Sequence, residues 1–102
     1  MRPVLVGVDG SDQSRQALAW ALPYAASVGA SVEAIMTVAK TDDAAETAAN
    51  VRAAEAGLGQ IIDEMVAQVD AAPPVSYEVV PGDPAVVLVN ASSNAALLVL
   101  GS

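Results

Sequence analysis

The 102-residue sequence contains no cysteine, no histidine and no phenylalanine, and only four of its residues are lysine or arginine. The missing cysteine and histidine exclude disulfides, zinc fingers, thiol nucleophiles and catalytic triads built on histidine. Twelve acidic residues give a net charge of -8, which argues against nucleic acid as a partner because phosphate contacts need clustered cations. No apolar run approaches the roughly 20 residues that span a bilayer, so we expect no membrane partner.

What is present favours one folded domain over residues 1–102. The hydrophobic content is 54%, which is incompatible with a disordered chain, and the length suits a single core. The first apolar run is too short for a signal peptide and ends at Asp9, and the lack of cysteine fits a reducing compartment. We therefore expect a cytoplasmic protein.

Strands and helices alternate along the sequence. Short apolar runs predict strands over about 3–9, 31–38, 75–80 and 95–100, and periodic segments predict helices over about 12–28, 44–70 and 84–93. The first helix carries an apolar stripe of Ala17, Leu18, Ala21, Ala25 and Val28, and the second carries one of Leu58, Ile61, Ile62, Met65 and Val69. This order predicts an α/β fold, with an open parallel sheet and helices on both faces.

Several polar residues precede the predicted helices and are best interpreted as caps. Ser11 and Asp83 each stand directly before a helix, and Pro84 follows Asp83 at the first helical position. Asp42 and Asp43 precede the second helix, where capping is a better explanation than metal binding. We predict no metal site.

Two strand ends carry the residues that favour a ligand site. Asp9-Gly10-Ser11 follows the first strand, and Gly101-Ser102 follows the fourth. If those strands are neighbours at the point where strand order reverses, both turns face one crevice. Glycine lets a backbone approach a phosphate closely, and Asp9 either binds an adenine amino or ribose hydroxyl group or shapes its turn. Lys40 ends the second strand at the same edge and is a weaker phosphate candidate.

Catalytic patterns are missing from the sequence. It has no G-x-x-x-x-G-K-[ST] loop, no G-x-G-x-x-G motif and no nucleophile beside a base. No pair of carboxylates has a spacing that demands acid–base chemistry. We therefore predict a protein without catalytic residues that is not an enzyme, although slow ATP hydrolysis stays open.

Three segments together resemble the universal stress protein family. Residues 4–11 (VLVGVDGS) are similar to its first strand and turn, residues 81–84 (PGDP) to the exit of its third strand, and residues 97–102 (LLVLGS) to its fourth strand and the start of its nucleotide loop. The resemblance spans residues 3–102. It implies a Rossmann-like sheet of the adenine-nucleotide alpha-hydrolase kind, with strand order 3-2-1-4-5.

The resemblance also implies a function and a site. It implies a regulator of stress response that binds ATP, with or without Mg²⁺, in the crevice between strands 1 and 4. The nucleotide-binding positions carried over are Asp9, Gly10, Val38, Leu100, Gly101 and Ser102. A member that binds no nucleotide and acts as a dimeric protein-interaction module is the alternative. A phospho-receiver domain is a third hypothesis, but its aspartate would have to end the third strand, where Val79-Val80-Pro81 stands.

The sequence departs from the family pattern at its C-terminal end. Of the family's phosphate loop, G-x-x-G-x9-G-[S/T], only Gly101 and Ser102 are present, and the last helix and the fifth strand are missing. We expect the strand order 3-2-1-4, a domain that is C-terminally incomplete or naturally short, and a homodimer in the full-length form.

Overall fold

A computed structural model describes residues 2–101 of the chain. Its elements alternate as the sequence predicts: β1 (Val4–Gly7), α1 (Asp12–Val28), β2 (Val32–Val38), α2 (Ala44–Ala67), β3 (Val75–Pro81), α3 (Pro84–Ser92) and β4 (Leu97–Leu100). The predicted boundaries agree to within three residues, with the largest difference at the end of α2.

The four strands form one sheet in the order β3-β2-β1-β4, and every neighbouring pair is parallel. Gly7 lies beside Ile35 of β2 on one side and beside Leu100 of β4 on the other. The predicted α/β class and strand order are therefore confirmed. Because the chain leaves β1 toward β2 and later returns to the opposite side of β1, strand order reverses between β1 and β4.

Alternating side chains divide the sheet into two faces. Val4, Val6 and Val8 of the first strand segment join a buried cluster with residues of α1 and α2. Gly7 has the opposite parity, and a side chain there would meet Leu88 of α3. Helices α1 and α2 therefore cover one face of the sheet, and α3 packs on the other.

The core is built from small and medium aliphatic side chains. Its largest fully buried members include Leu5, Leu18, Leu22 and Leu58. The predicted stripe of α2 is buried at Leu58, Ile61, Ile62 and Met65, with Val69 partly buried beyond the helix. The predicted stripe of α1 is also buried, except at Val28, which is the last residue of the helix and is exposed.

The helix caps follow the sequence closely. Ser11 accepts a hydrogen bond from the Ser14 N–H at 3.2 Å, and Ser14 returns one from its hydroxyl to the Ser11 carbonyl. Asp43 accepts from Ala45 and Glu46, and Asp83 from Ala85 and Val86. These caps fix where each helix starts, and hence how the loops at the carboxyl edge of the sheet run.

Strand β4 forms one edge of the described sheet, and several large apolar side chains are exposed on the described surface. Leu100 of β4 is 54% exposed, and Val86 and Val89 of α3 are 58% and 67% exposed. On α1, Trp20 and Tyr24 stack with their ring centroids 4.9 Å apart.

Within residues 2–101, none of the helices combines the length and the apolar character needed to cross a membrane.

Candidate functional site

A cavity of about 290 Å³ opens where the carboxyl ends of β1 and β4 meet. This cavity, called the β1–β4 cavity below, is lined by residues of β1, β2 and β4, of the turn after β1, and of helix α3. The lining residues are Gly7, Val8, Asp9, Ile35, Thr37, Pro84, Leu88, Leu100 and Gly101. Its position is the crevice at the reversal of strand order, where open α/β sheets bind their ligands.

Asp9 is the only ionisable residue among those that line the cavity. Its Oδ1 accepts a hydrogen bond from the Ser11 backbone N–H at 2.9 Å, so the carboxylate shapes the turn between β1 and α1. Hydrogen bonds from Ser11 lower the pKa of Asp9 below its ordinary value of 3.8, and the bond with the Ser11 side chain has a larger effect than the bond with its backbone. The side chain is exposed and charged at neutral pH, and it offers acceptor oxygens to a ligand.

Gly101 lies against the first turn of α1. A Cβ atom at this position would collide with the backbone of Gln13 and would stand 2.7 Å from the Ser14 nitrogen. No other residue fits here without moving the chain, so glycine is required for this close approach. The chain leaving β4 is thereby brought to the turn that leaves β1, and Gly10 of that turn has a positive φ of 84°.

Apolar side chains form much of the rest of the cavity lining. Leu88 and Pro84 come from α3, Leu100 from β4 and Ile35 from β2. A Cβ atom on Gly7 would lie 2.8 Å from Leu100 Cδ2 and 3.4 Å from Leu88 Cδ1, so the bare backbone of Gly7 makes room for both leucines. A mostly apolar lining with a few polar groups is typical of small-molecule sites.

A second cavity of about 460 Å³ adjoins the first and shares Thr37 and Pro84 with it. Lys40 and Val38 belong to its lining, together with Gly82 and Asp83. The β1–β4 cavity alone is at the lower end of the roughly 300–1,000 Å³ typical of ligand pockets. The adjoining space extends the crevice along the carboxyl edge of the sheet.

The structure brings together some of the predicted site residues and separates others. Asp9, Leu100 and Gly101 line the β1–β4 cavity, and Gly10 follows Asp9 in the turn. Val38 lies in the adjoining cavity, because its side chain is on the face of the sheet that packs against the core. Ser102 lies outside the described residues, and its predicted role stays a prediction, as do the roles of the others.

Sequence reasoning missed several residues that line the cavity. Ile35 and Thr37 occupy alternate positions of β2, on the opposite sheet face from Val38. Strand alternation could have indicated that pair once the face toward α3 was known. Leu88 and Pro84 carry no such signal, because only the packing of α3 against β1 and β2 brings them to the site.

An open parallel sheet with a ligand-sized crevice at its reversal point places the protein in the class of Rossmann-like α/β proteins. The model of the universal stress protein family matches residues 1–102, and the chain belongs to that family. A search of curated proteins by sequence found no match.

Solved structures of universal stress proteins have the same fold. A universal stress protein in complex with cAMP is 24% identical, with a TM-score of 0.76 over 96% of this chain and 74% of that protein. A family member from Burkholderia pseudomallei is 26% identical, with a TM-score of 0.72 over 99% of this chain and 81% of its own. UspA from Lactobacillus plantarum is 23% identical, with a TM-score of 0.67 over 97% of this chain and 75% of its own.

Proposed function

We propose that the protein is a stress-response regulator that binds an adenine nucleotide, ATP or cAMP, in the β1–β4 cavity. The observation that carries this proposal is the meeting of Asp9, the apolar side chains and Gly101 at the reversal of strand order. A related universal stress protein has been solved with cAMP bound, which supports a nucleotide as the ligand.

The lining suggests how the nucleotide is held. The adenine ring packs against Leu88 and Leu100, and the Asp9 carboxylate accepts a hydrogen bond from an amino group or a ribose hydroxyl. The phosphates extend past Gly101, where the backbone comes close to the first turn of α1. A Mg²⁺ ion would accompany ATP mainly through its phosphates, since Asp9 is the only carboxylate in this lining.

The expected activity is a binding switch and not catalysis. Bound nucleotide would order the chain that leaves β4 and bias a dimer or a partner surface. The lining offers one carboxylate and the Thr37 hydroxyl, and no nucleophile paired with a base is found among its residues. We propose that the protein acts in the cytoplasm as a homodimer.

Isothermal titration calorimetry with ATP and with cAMP tests this proposal. We expect Asp9→Asn to weaken binding about tenfold, because the hydrogen bond to a charged group contributes about 1.5 kcal/mol. Asp63→Asn is the matched control: it removes the same charge from an exposed side chain of α2 that lies outside the lining. Equal affinity of the Asp9→Asn variant and the unchanged protein would rule out the role of Asp9.

A second function is favoured by the exposed apolar residues. Val86 and Val89 of α3 and Leu100 of β4 present exposed aliphatic surface, which suits a dimeric protein-interaction module without nucleotide. The two functions predict different titrations. The interaction module predicts no heat with either nucleotide, together with a dimer in sedimentation that Val89→Ser converts to a monomer.

A further inference from the structure

A separate hollow lies beside the start of α2, away from the β1–β4 cavity. It has a volume of about 680 Å³, and we name it the α2 pocket. Its lining residues are Lys40, Thr41, Asp42, Ala44, Thr47, Ala48, Val51, Arg52 and Pro81. None of these residues lines the β1–β4 cavity, and only Lys40 also lines the cavity beside it.

Cations are concentrated at this pocket. The chain has four basic residues and a net charge of -8, yet Lys40 and Arg52 both border the α2 pocket. Among the described residues, the one ion pair joins Arg15 of α1 to Glu64, near the C-terminal end of α2, at 2.8 Å. Neither Lys40 nor Arg52 therefore forms an ion pair with a carboxylate within residues 2–101.

Apart from the carboxylate of Asp42, the rest of the lining is apolar or internally satisfied. Ala48, Val51 and Pro81 supply an aliphatic wall. Thr41 and Thr47 are occupied with each other, since their hydroxyl oxygens lie 3.0 Å apart and the Thr41 N–H donates to the Thr47 hydroxyl at 3.0 Å. These bonds hold the loop after β2, which carries Lys40, against the first turn of α2, and Arg52 lies within that helix.

We infer that the α2 pocket binds a small organic anion, a carboxylate with an aliphatic body. Charge complementarity selects the headgroup, because two cations and the single carboxylate of Asp42 border the hollow. The wall of Ala48, Val51 and Pro81 selects an apolar body over a fully hydrated ion such as inorganic phosphate. The α2 pocket shares no lining residue with the β1–β4 cavity, where the nucleotide is proposed to bind.

Titration with hexanoate, followed by amide NMR shifts of the ¹⁵N-labelled protein, tests the inference. We expect saturable shifts confined to residues 40–52 and Pro81's neighbours, and weak or no shifts with the uncharged analogue hexanamide or with inorganic phosphate. The double variant Lys40→Gln/Arg52→Gln should raise the dissociation constant about tenfold or more, since hydrogen bonds to charged groups are lost. Arg2→Gln removes one positive charge outside the pocket and should leave the constant unchanged.

Asp42→Asn supplies an opposite test, because it removes the only carboxylate of the lining and should tighten hexanoate binding. Circular dichroism of each variant verifies that the fold is intact. Equal shifts with hexanoate and hexanamide would show apolar adsorption and overturn the inference. So would shifts spread over the whole protein, no shifts at all, or equal binding by the double variant and the unchanged chain.

Discussion

Two glycines of α2 provide a prediction in which helix propensity and packing give different results. Gly57 and Gly59 both lie inside the helix, but their surroundings differ. A Cβ atom on Gly57 would have no neighbour within 4 Å, whereas one on Gly59 would lie 2.8 Å from the Tyr77 hydroxyl oxygen and 3.3 Å from its Cζ. The same substitution to alanine is therefore expected to have different effects at positions two residues apart.

Gly57→Ala should stabilise the protein by about 1 kcal/mol, the difference between glycine and alanine in a helix interior. That gain raises Tm by roughly 4–8 °C in a domain of this size. Gly59→Ala should stabilise less, or not at all, because Tyr77 has to move away from the new methyl group. The ring is 46% exposed and can move, so a large destabilisation is not expected.

Urea and thermal unfolding followed by circular dichroism measure both variants. Tyr77→Phe removes the hydroxyl oxygen that the methyl group would meet, so Gly59→Ala should gain more stability in that background. The difference between the two backgrounds isolates the contact with the hydroxyl. Equal stabilisation by Gly57→Ala and Gly59→Ala, or a loss of stability on Gly57→Ala, would refute the reasoning.

Further predictions concern the turn after β1, a helix cap and the core. Because the pKa of Asp9 is lowered in the folded state, its charge stabilises the fold above about pH 3.8, and this contribution is lost as the pH falls through the lower folded pKa. The difference in Tm between Asp9→Asn and the unchanged protein should therefore shrink between about pH 6 and about pH 3. Asp83→Ala should cost about 1 kcal/mol in urea unfolding, because two N–H groups of α3 lose their acceptor, and Asp83→Asn should restore most of it. Leu22→Ala, at a fully buried position, should cost about 2–5 kcal/mol, whereas Val89→Ala, 67% exposed, should change stability by less than about 0.5 kcal/mol.

The sequence alone was sufficient for features that depend on neighbours along the chain. Ser11, Asp43 and Asp83 cap their helices as predicted, because a cap needs only a side-chain oxygen two or three residues before a free N–H. The alternation of strands and helices followed from apolar periodicity, and it led to the parallel sheet through the right-handed crossover rule. The resemblance of three segments to universal stress proteins led to the family that the match over residues 1–102 shows.

The extent of each strand depended on tertiary contacts. β1 was predicted over 3–9 and is a strand over Val4–Gly7, although Val8 still donates to the Ile35 carbonyl at 2.8 Å. β4 begins two residues later than predicted, after the Ala96 N–H has bonded the Pro3 carbonyl at 2.9 Å. Apolar character continues beyond the ends of these strands, so only the pairing with neighbours shows where they stop.

The lining of the β1–β4 cavity was decided largely by the tertiary structure. Asp9 and Gly101 were accessible to prediction because they end strands, and strand ends meet at one edge of a parallel sheet. Thr37 enters the lining through the face of β2 that it occupies, and Leu88 through the way α3 crosses that face. Gly7 and Leu88, which meet at this cavity, lie 81 positions apart in sequence, and local propensity carries no information about such a contact.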